Sequence, residues 1–211
     1  MKPKATGKII IMTFSALIIF LFSMCEDFQE KTFQPDDTDA YAIEVFNDTN
    51  LVAIPVGQVT FDEASGSYSI KAGPTTTSGL TNYAAVMSVL SDSNLTVEAG
   101  THHYQVVISK TRQNALLLNV SGDKELHVYT TSYVDVNVHD NTGSAMDVDR
   151  SHPFELVSGL YTYDVAKDQY PVPTIKTKSV FELSSGEYVL NITATEATKL
   201  TTFSLVVVEK Q

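Results

Sequence analysis

The stretch FELSSGEYV, Phe181–Val189, indicates the fold class of this chain. A hydrophobic strand end runs into Gly186, and Tyr188 begins a new alternating run two residues later. The same order recurs in EASGSY (Glu63–Tyr68), VEAGTHHY (Val97–Tyr104) and LVSGLY (Leu156–Tyr161). Glycine permits a positive φ or a close backbone approach, and tyrosine is favoured in half-buried strands. Four copies of one strand–turn–strand unit predict a duplicated all-β protein.

Each copy keeps its glycine, which predicts structural turns at Gly66, Gly100, Gly159 and Gly186. For Gly186 we expect a positive φ, or a position where a Cβ would clash. The expected setting is a hairpin between strands that end at Leu183 and begin at Tyr188. We do not expect these turns to bind phosphate, because no Gly-rich strand-to-helix element surrounds them.

The two halves of the chain repeat one order of short strands. VFNDTNLVAIPV (Val45–Val56) corresponds to VYTTSYVDVNV (Val128–Val138), and the later strands match in the same order. Short strands at regular spacing are typical of β-sandwiches. The predicted fold is therefore all-β, with two tandem Ig-like β-sandwich domains at residues 40–122 and 123–211 that meet near Ser121–Lys124.

Local patterns add detail to the first half. Tyr41–Phe46 alternates and is predicted to be a strand. Leu51–Val56 is also predicted to be a strand, and Pro55 places it at a sheet edge or a bulge. Ala84–Leu90 is the segment in which a short helix is expected.

The N-terminus has the features of an export segment. Lys2, Lys4 and Lys8 precede an uncharged run, Ile9–Cys25. A basic region followed by an apolar region is typical of a signal peptide. The run is also close to the lower limit for a bilayer span, roughly 17–25 residues, so an uncleaved signal anchor is the alternative.

Cys25 is the single cysteine and ends the apolar run. This arrangement resembles a bacterial lipoprotein signal, in which the cysteine becomes the lipidated first residue of the mature chain. We therefore predict lipidation of Cys25 and attachment to a membrane of the bacterial cell envelope, on the periplasmic face or the cell surface. Residues 1–25 form the predicted signal segment or anchor, and the polar residues 26–39 form a flexible tether.

Composition limits the class of partner. The 211 residues carry a formal net charge of −11, and the folded part lacks a cluster of lysine and arginine. This charge argues against nucleic acid as the main partner. A single cysteine also excludes intramolecular disulfides.

Several motifs resemble a family of bacterial envelope domains of unknown function that often occur in tandem in lipoproteins. The family has a Val-Asp-Val strand, an Ala-Gly-Thr-Tyr turn, a Leu-Glu-Ala-Gly…Tyr turn and a final Leu-rich strand. The matching stretches here are Val97–Gly100, Leu116–Leu118, Val134–Val136, Ser158–Tyr161, Leu183–Tyr188 and Leu205–Val208. The resemblance implies an Ig-like or transthyretin-like β-sandwich, and it implies no catalytic residues.

Side chains that could carry chemistry are sparse. No Gly-x-Ser-x-Gly motif, His-Glu-x-x-His motif or Cys–His pairing occurs, so we predict no enzyme activity. The loop between His139 and His152 holds oxygen-bearing side chains at Asp140, Asn141, Asp147 and Asp149. Ca²⁺ takes roughly 6–8 oxygen ligands, so these four residues are the candidate cation ligands. A plain solvated loop is the alternative, and no other cofactor is predicted.

The sequence therefore predicts a membrane-tethered, non-enzymatic envelope protein that acts as a binding, adhesion or structural module, with a protein or a glycan as partner. The alternative is a metal-dependent enzyme or a cation-binding protein that uses the acidic loop 139–152. Ionisable side chains clustered in a concave pocket would favour the enzyme. An exposed strand edge would favour the binding module.

Overall fold

Most of the described residues lie in strands, and many of these strands alternate apolar and polar residues. In Val134–His139 the three valines are buried, and the residues between them are more exposed. A period of two places the valines on one face of a sheet. The computed structural model describes residues 36–151, 162–165, 168–171 and 174–211, with side chains for 36–149 and 174–211.

The described elements are mostly strands, together with two short helices. In chain order they are α1 (Asp37–Asn47), β1 (Leu51–Pro55), β2 (Gly57–Asp62), β3 (Ser67–Ala72), β4 (Thr75–Leu80), α2 (Tyr83–Asp92), β5 (Thr96–Glu98), β6 (His103–Val107), β7 (Gln113–Val120), β8 (Lys124–Thr130), β9 (Val134–His139), β10 (Asp149–Ser151), β11 (Thr162–Val165), β12 (Asp168–Pro171), β13 (Thr177–Leu183), β14 (Gly186–Ala194) and β15 (Thr202–Glu209). The predicted predominance of β structure is confirmed.

Two sheets contain most of the strands. The first sheet has the order β1-β6-β15-β8-β13-β10, in which β1 and β6 are parallel and the other pairs are antiparallel. The second has the order β4-β3-β2-β7-β14-β9, and β5 adds a parallel pairing to β7. Strands β11 and β12 pair separately with each other.

Both sheets mix strands from the two halves of the chain. In the first sheet β15 lies between β6 and β8, and in the second sheet β14 pairs with β7. Residues 35–211 cluster as one compact unit. The prediction of two separate sandwiches meeting near Ser121–Lys124 is therefore wrong. Strands β6 and β7 of the first half pair with β15 and β14 of the second half. This pairing satisfies backbone groups that would be exposed at strand edges if the halves folded separately.

A hydrophobic core lies between the two sheets. Neighbouring strands bring their inward side chains together at matched register, because paired residues face the same side of a sheet. The inward residues include Leu126, Val128, Phe181 and Leu205 from the first sheet, and Leu116, Leu118, Leu190 and Ile192 from the second.

Helix α1 packs on the outer face of the first sheet. The Asp36 carboxylate caps its N-terminus by accepting a hydrogen bond from the Asp39 amide at 2.7 Å. The helix buries Ala42, Val45 and Phe46, at the i, i+3 and i+4 spacing of a helix face. The strand predicted for Tyr41–Phe46 is therefore wrong, because six residues of mixed pattern fit both periods.

Helix α2 covers the outer face of the second sheet. The Asn82 side chain caps it by accepting a hydrogen bond from the Ala85 amide at 2.9 Å. Val86 and Leu90 are fully buried on its inner face. The helix expected at Ala84–Leu90 is confirmed.

The recurring glycines lie in different settings. Gly66 and Gly100 have positive φ, 63° and 144°, and Gly159 lies outside the described residues. The prediction for Gly186 is wrong, because its φ is outside the positive region. A Cβ there would meet the Tyr188 ring at 3.6 Å, an ordinary contact.

The predicted hairpin around Gly186 is also absent. Strand β13 belongs to the first sheet and β14 to the second, so Ser184 and Ser185 carry the chain from one sheet to the other. Tyr188 closes this crossing, because its ring is 7% exposed and its hydroxyl donates a hydrogen bond to the Ser184 carbonyl at 3.0 Å. The same geometry characterises the tyrosine corner of sandwich folds.

Candidate functional site

The Asp140 carboxylate serves a turn. One of its oxygens accepts hydrogen bonds from the Thr142 hydroxyl at 2.6 Å, and from the amides of Thr142 and Ser144 at 2.9 Å each. These bonds, the Thr142 hydroxyl first, hold the pKa of Asp140 below its usual value. Asp140 thereby fixes the loop after β9.

The other candidate cation ligands lie at two different openings. Asp147 and Asp149 line an opening beside Glu125 and Glu182, whereas Asn141 lines a different opening next to α2. Within the part of the chain that the structure describes, no group of three or more His, Cys, Asp or Glu side chains is placed to hold a metal ion. The remaining predicted sites, Cys25 and Gly159, lie outside the described residues.

A buried polar network joins α1 to the first sheet. The Asp39 carboxylate accepts hydrogen bonds from the Tyr129 hydroxyl at 2.5 Å and from the Lys178 ammonium at 2.6 Å. All three residues are less than 10% exposed. Burial, together with the Asp39 carboxylate, raises the pKa of the Tyr129 hydroxyl far above its usual value.

The network continues toward the surface. His127 lies 3.3 Å from the Tyr129 hydroxyl and 2.9 Å from Glu125, which also binds Lys210 at 2.9 Å. These two partners, His127 first, hold the pKa of Glu125 below its usual value. Burial of the central members means that the network positions α1 and does not present a reactive group to solvent.

The free edge of β1 is the surface best suited to binding. The Asn50 carbonyl accepts a hydrogen bond from the His103 amide, so Asn50 directs its backbone groups toward β6. Along a strand, the backbone N–H and C=O groups of residues two apart point in the same direction. The backbone groups of Val52 and Ile54 therefore point toward β6, and those of Ala53 point away from it. The Leu51 amide also points away from β6, but it donates a hydrogen bond to the Thr49 carbonyl. Ala53 therefore supplies the outward amide donor of this edge.

An apolar groove runs alongside this edge. It is about 410 Å³ in volume, and we call it the edge groove; its lining residues are Ala53, Ile54, Pro55, Val56, Gln58, Lys71, Gly73, Gln105 and Val107. Val107 in its lining is 54% exposed and Leu51 next to it is 49% exposed, large values for such apolar side chains. Lys71 is the single charged residue in the lining. Among the described residues, the groove thus combines a strand edge without a partner strand, apolar surface and one cation.

Sequence reasoning located part of this surface. Pro55 predicted an edge or a bulge, and β1 is indeed the edge of the first sheet. Sequence pattern does not relate Lys71 and Val107 to this surface, because they reach the groove from β3 and β6. Asp39 is not identified by sequence pattern, because it ends the polar stretch 26–39 that is predicted to be a tether.

Comparisons with known proteins add no family to these observations. Neither the scan against protein-family models nor the search of curated proteins produced a match. In the described residues, no helix is both long enough and apolar enough to span a bilayer.

Proposed function

We propose that this chain is a membrane-tethered, non-enzymatic binding module of the bacterial cell envelope, and that its partner docks at the edge groove. The observation that carries the proposal is the exposed, uncharged edge of β1 beside that groove. Soluble proteins usually protect such edges with charges, prolines or short strands. Here Pro55 protects one end, whereas Leu51, Val52 and Ala53 are exposed apolar residues and the Ala53 amide points outward.

A partner strand could add to this edge as a further strand of the sheet. Main-chain hydrogen bonds then supply affinity, and pockets for alternate side chains supply specificity. The edge groove offers such a pocket next to β1. Asp147 and Asp149 share one opening, but Asp140 is engaged in its own turn and Asn141 lies at a different opening. Within the described residues no group of three or more His, Cys, Asp or Glu side chains is placed to hold a metal ion, which gives the cation-binding alternative less support.

A photo-crosslinking amino acid at Val107 tests the docking site in cells. Val107 is 54% exposed at the groove, so the substitution should not disturb the fold. The matched control is Ser65, which is exposed at the tip of the β2–β3 hairpin. A cross-linked product from Val107 and none from Ser65 is expected. Equal products from both positions, or no product from Val107, would contradict the proposal.

The tether is tested separately at Cys25. Metabolic labelling with a palmitate analogue should mark the wild type and fail to mark Cys25→Ser. The expected reason is lipidation of a cysteine that ends an apolar export segment. Equal labelling of the two chains would rule out lipidation at Cys25 and would favour the uncleaved signal anchor.

A further inference from the structure

The edge groove has a chemical preference that follows from its lining. Of the nine lining residues, five are aliphatic or proline, one is glycine, two carry amides, and the last is Lys71. Lys71 is exposed and has no ion pair within the described residues. An uncompensated ammonium beside apolar surface favours a ligand that brings a carboxylate together with apolar side chains.

The strand edge fixes how such a ligand would lie. A segment that runs antiparallel to β1 can exchange two hydrogen bonds with Ala53, through its amide and its carbonyl. No second pair forms at Pro55, which has no amide hydrogen. The docked segment is therefore short and is held in register at Ala53.

Alternation divides the ligand's side chains between two environments. Leu51, Ala53 and Pro55 face the outer side of the first sheet, where Val107 is exposed. Ile54 faces inward with the core, toward the second sheet that carries Lys71. A docked strand would place alternate residues against the apolar outer side and the remaining residues toward Lys71.

We propose that the edge groove binds an extended peptide segment of alternating pattern, with apolar residues on one face and an Asp or Glu side chain that meets Lys71 on the other. This inference rests on the proposed function and specifies its partner. A second copy of the chain fits less well, because β1 is uncharged and would leave Lys71 without a carboxylate.

Peptide binding to the full-length chain in detergent tests the proposal. The probes are fluorescein-labelled TVEVTV and its matched control TVQVTV, which differ by one carboxylate, and the readout is fluorescence polarisation. The wild type should bind TVEVTV about threefold more tightly than TVQVTV, as expected for one exposed ion pair. Lys71→Gln should remove that difference and retain binding of TVQVTV.

Ala53→Pro tests the strand pairing. It removes the outward amide without touching the hydrogen bonds to β6, and proline is tolerated on edge strands. Both peptides should bind about fivefold more weakly, as expected for one lost hydrogen bond. Ala53→Ser keeps the amide and is the matched control. In thermal melts, both variants should have a Tm near that of the wild type. If Ala53→Pro unfolds, Val107→Glu is the second test, and it should weaken the binding of TVEVTV more than the binding of TVQVTV.

The outcomes separate this inference from the proposed function. Equal binding of the two peptides to the wild type would overturn the carboxylate assignment, and unchanged binding to Ala53→Pro would overturn docking at β1. A wild type that sediments as a dimer and binds neither peptide would assign the edge to a second copy. In each of these cases, a specific cross-link from Val107 in cells would still support the binding module.

Discussion

Tyr188 offers a sharp test of how the two sheets are joined. Its ring is buried between the sheets, and its hydroxyl donates a hydrogen bond at 3.0 Å to the carbonyl of Ser184, in the crossing from β13 to β14. Tyr188→Phe removes that hydrogen bond and keeps the ring. Tyr188→Ala removes both the bond and the ring. The two variants therefore separate the closure of the crossing from the packing of the core.

The magnitudes follow from what each change leaves behind. Tyr188→Phe leaves the Ser184 carbonyl without its donor, which should lower the free energy of unfolding by about 1 kcal/mol. Tyr188→Ala also leaves a cavity of aromatic size in the core, and the expected loss is about 3–5 kcal/mol. For a fold of this length, a loss of about 1 kcal/mol lowers Tm by about 2–4 °C.

Urea titration of the compact unit, residues 35–211, measures both losses. Tyr68→Phe is the matched control, because the Tyr68 ring is half-buried and its hydroxyl makes no hydrogen bond within the described residues. It should unfold close to the wild-type midpoint. Two results would refute the reasoning: a wild-type midpoint for Tyr188→Ala, or equal losses for Tyr188→Phe and Tyr188→Ala.

Three further predictions concern packing and charge. Gly57→Ala should lower the free energy of unfolding in urea titration by about 1–3 kcal/mol, because its Cβ would lie 2.8 Å from two core side-chain carbons. Gly186→Ala is the control and should be neutral or slightly stabilising; equal effects of the two changes would contradict this prediction. Asp39→Ala should cost about 3 kcal/mol by denaturation, because it removes the short ion pair of the buried Lys178 ammonium; a wild-type midpoint would argue against the network. The pKa of Glu125 is lowered in the folded state, so this carboxylate contributes stability above its ordinary pKa, and that contribution is lost as the pH falls through the lower folded value. Glu125→Gln should therefore flatten the acid side of the pH–stability profile, and an unchanged profile would count against this assignment.

Much of the fold could be predicted from local pattern. The valines of Val134–His139 alternate strictly, and a period of two specifies a half-buried strand without knowledge of its neighbours. Pro55 placed β1 at an edge, because proline cannot donate within a central ladder. The pairing of β15 between β6 and β8 could not be predicted in this way, since it joins residues about 75–100 positions apart. Repetition within the chain indicated two folding units, whereas the strands combine into one.

The candidate site depends on the same distant pairings. The outward direction of the Ala53 amide follows from the register of β1 against β6, which local pattern does not contain. Lys71 reaches the edge groove from the second sheet. Asp39 meets Tyr129 and Lys178 across 90 and 139 positions, respectively. Sequence spacing alone relates none of these residues.

The exposure of the β1 edge is the central claim, and amide hydrogen exchange measured by NMR tests it directly. In the free protein the Ala53 amide should exchange rapidly, because it points away from β6, while the Ile54 amide should be protected by its hydrogen bond to β6. Addition of the TVEVTV peptide should slow exchange at Ala53 and leave Ile54 unchanged. An Ala53 amide that is already as protected as that of Ile54 in the free protein would contradict the account.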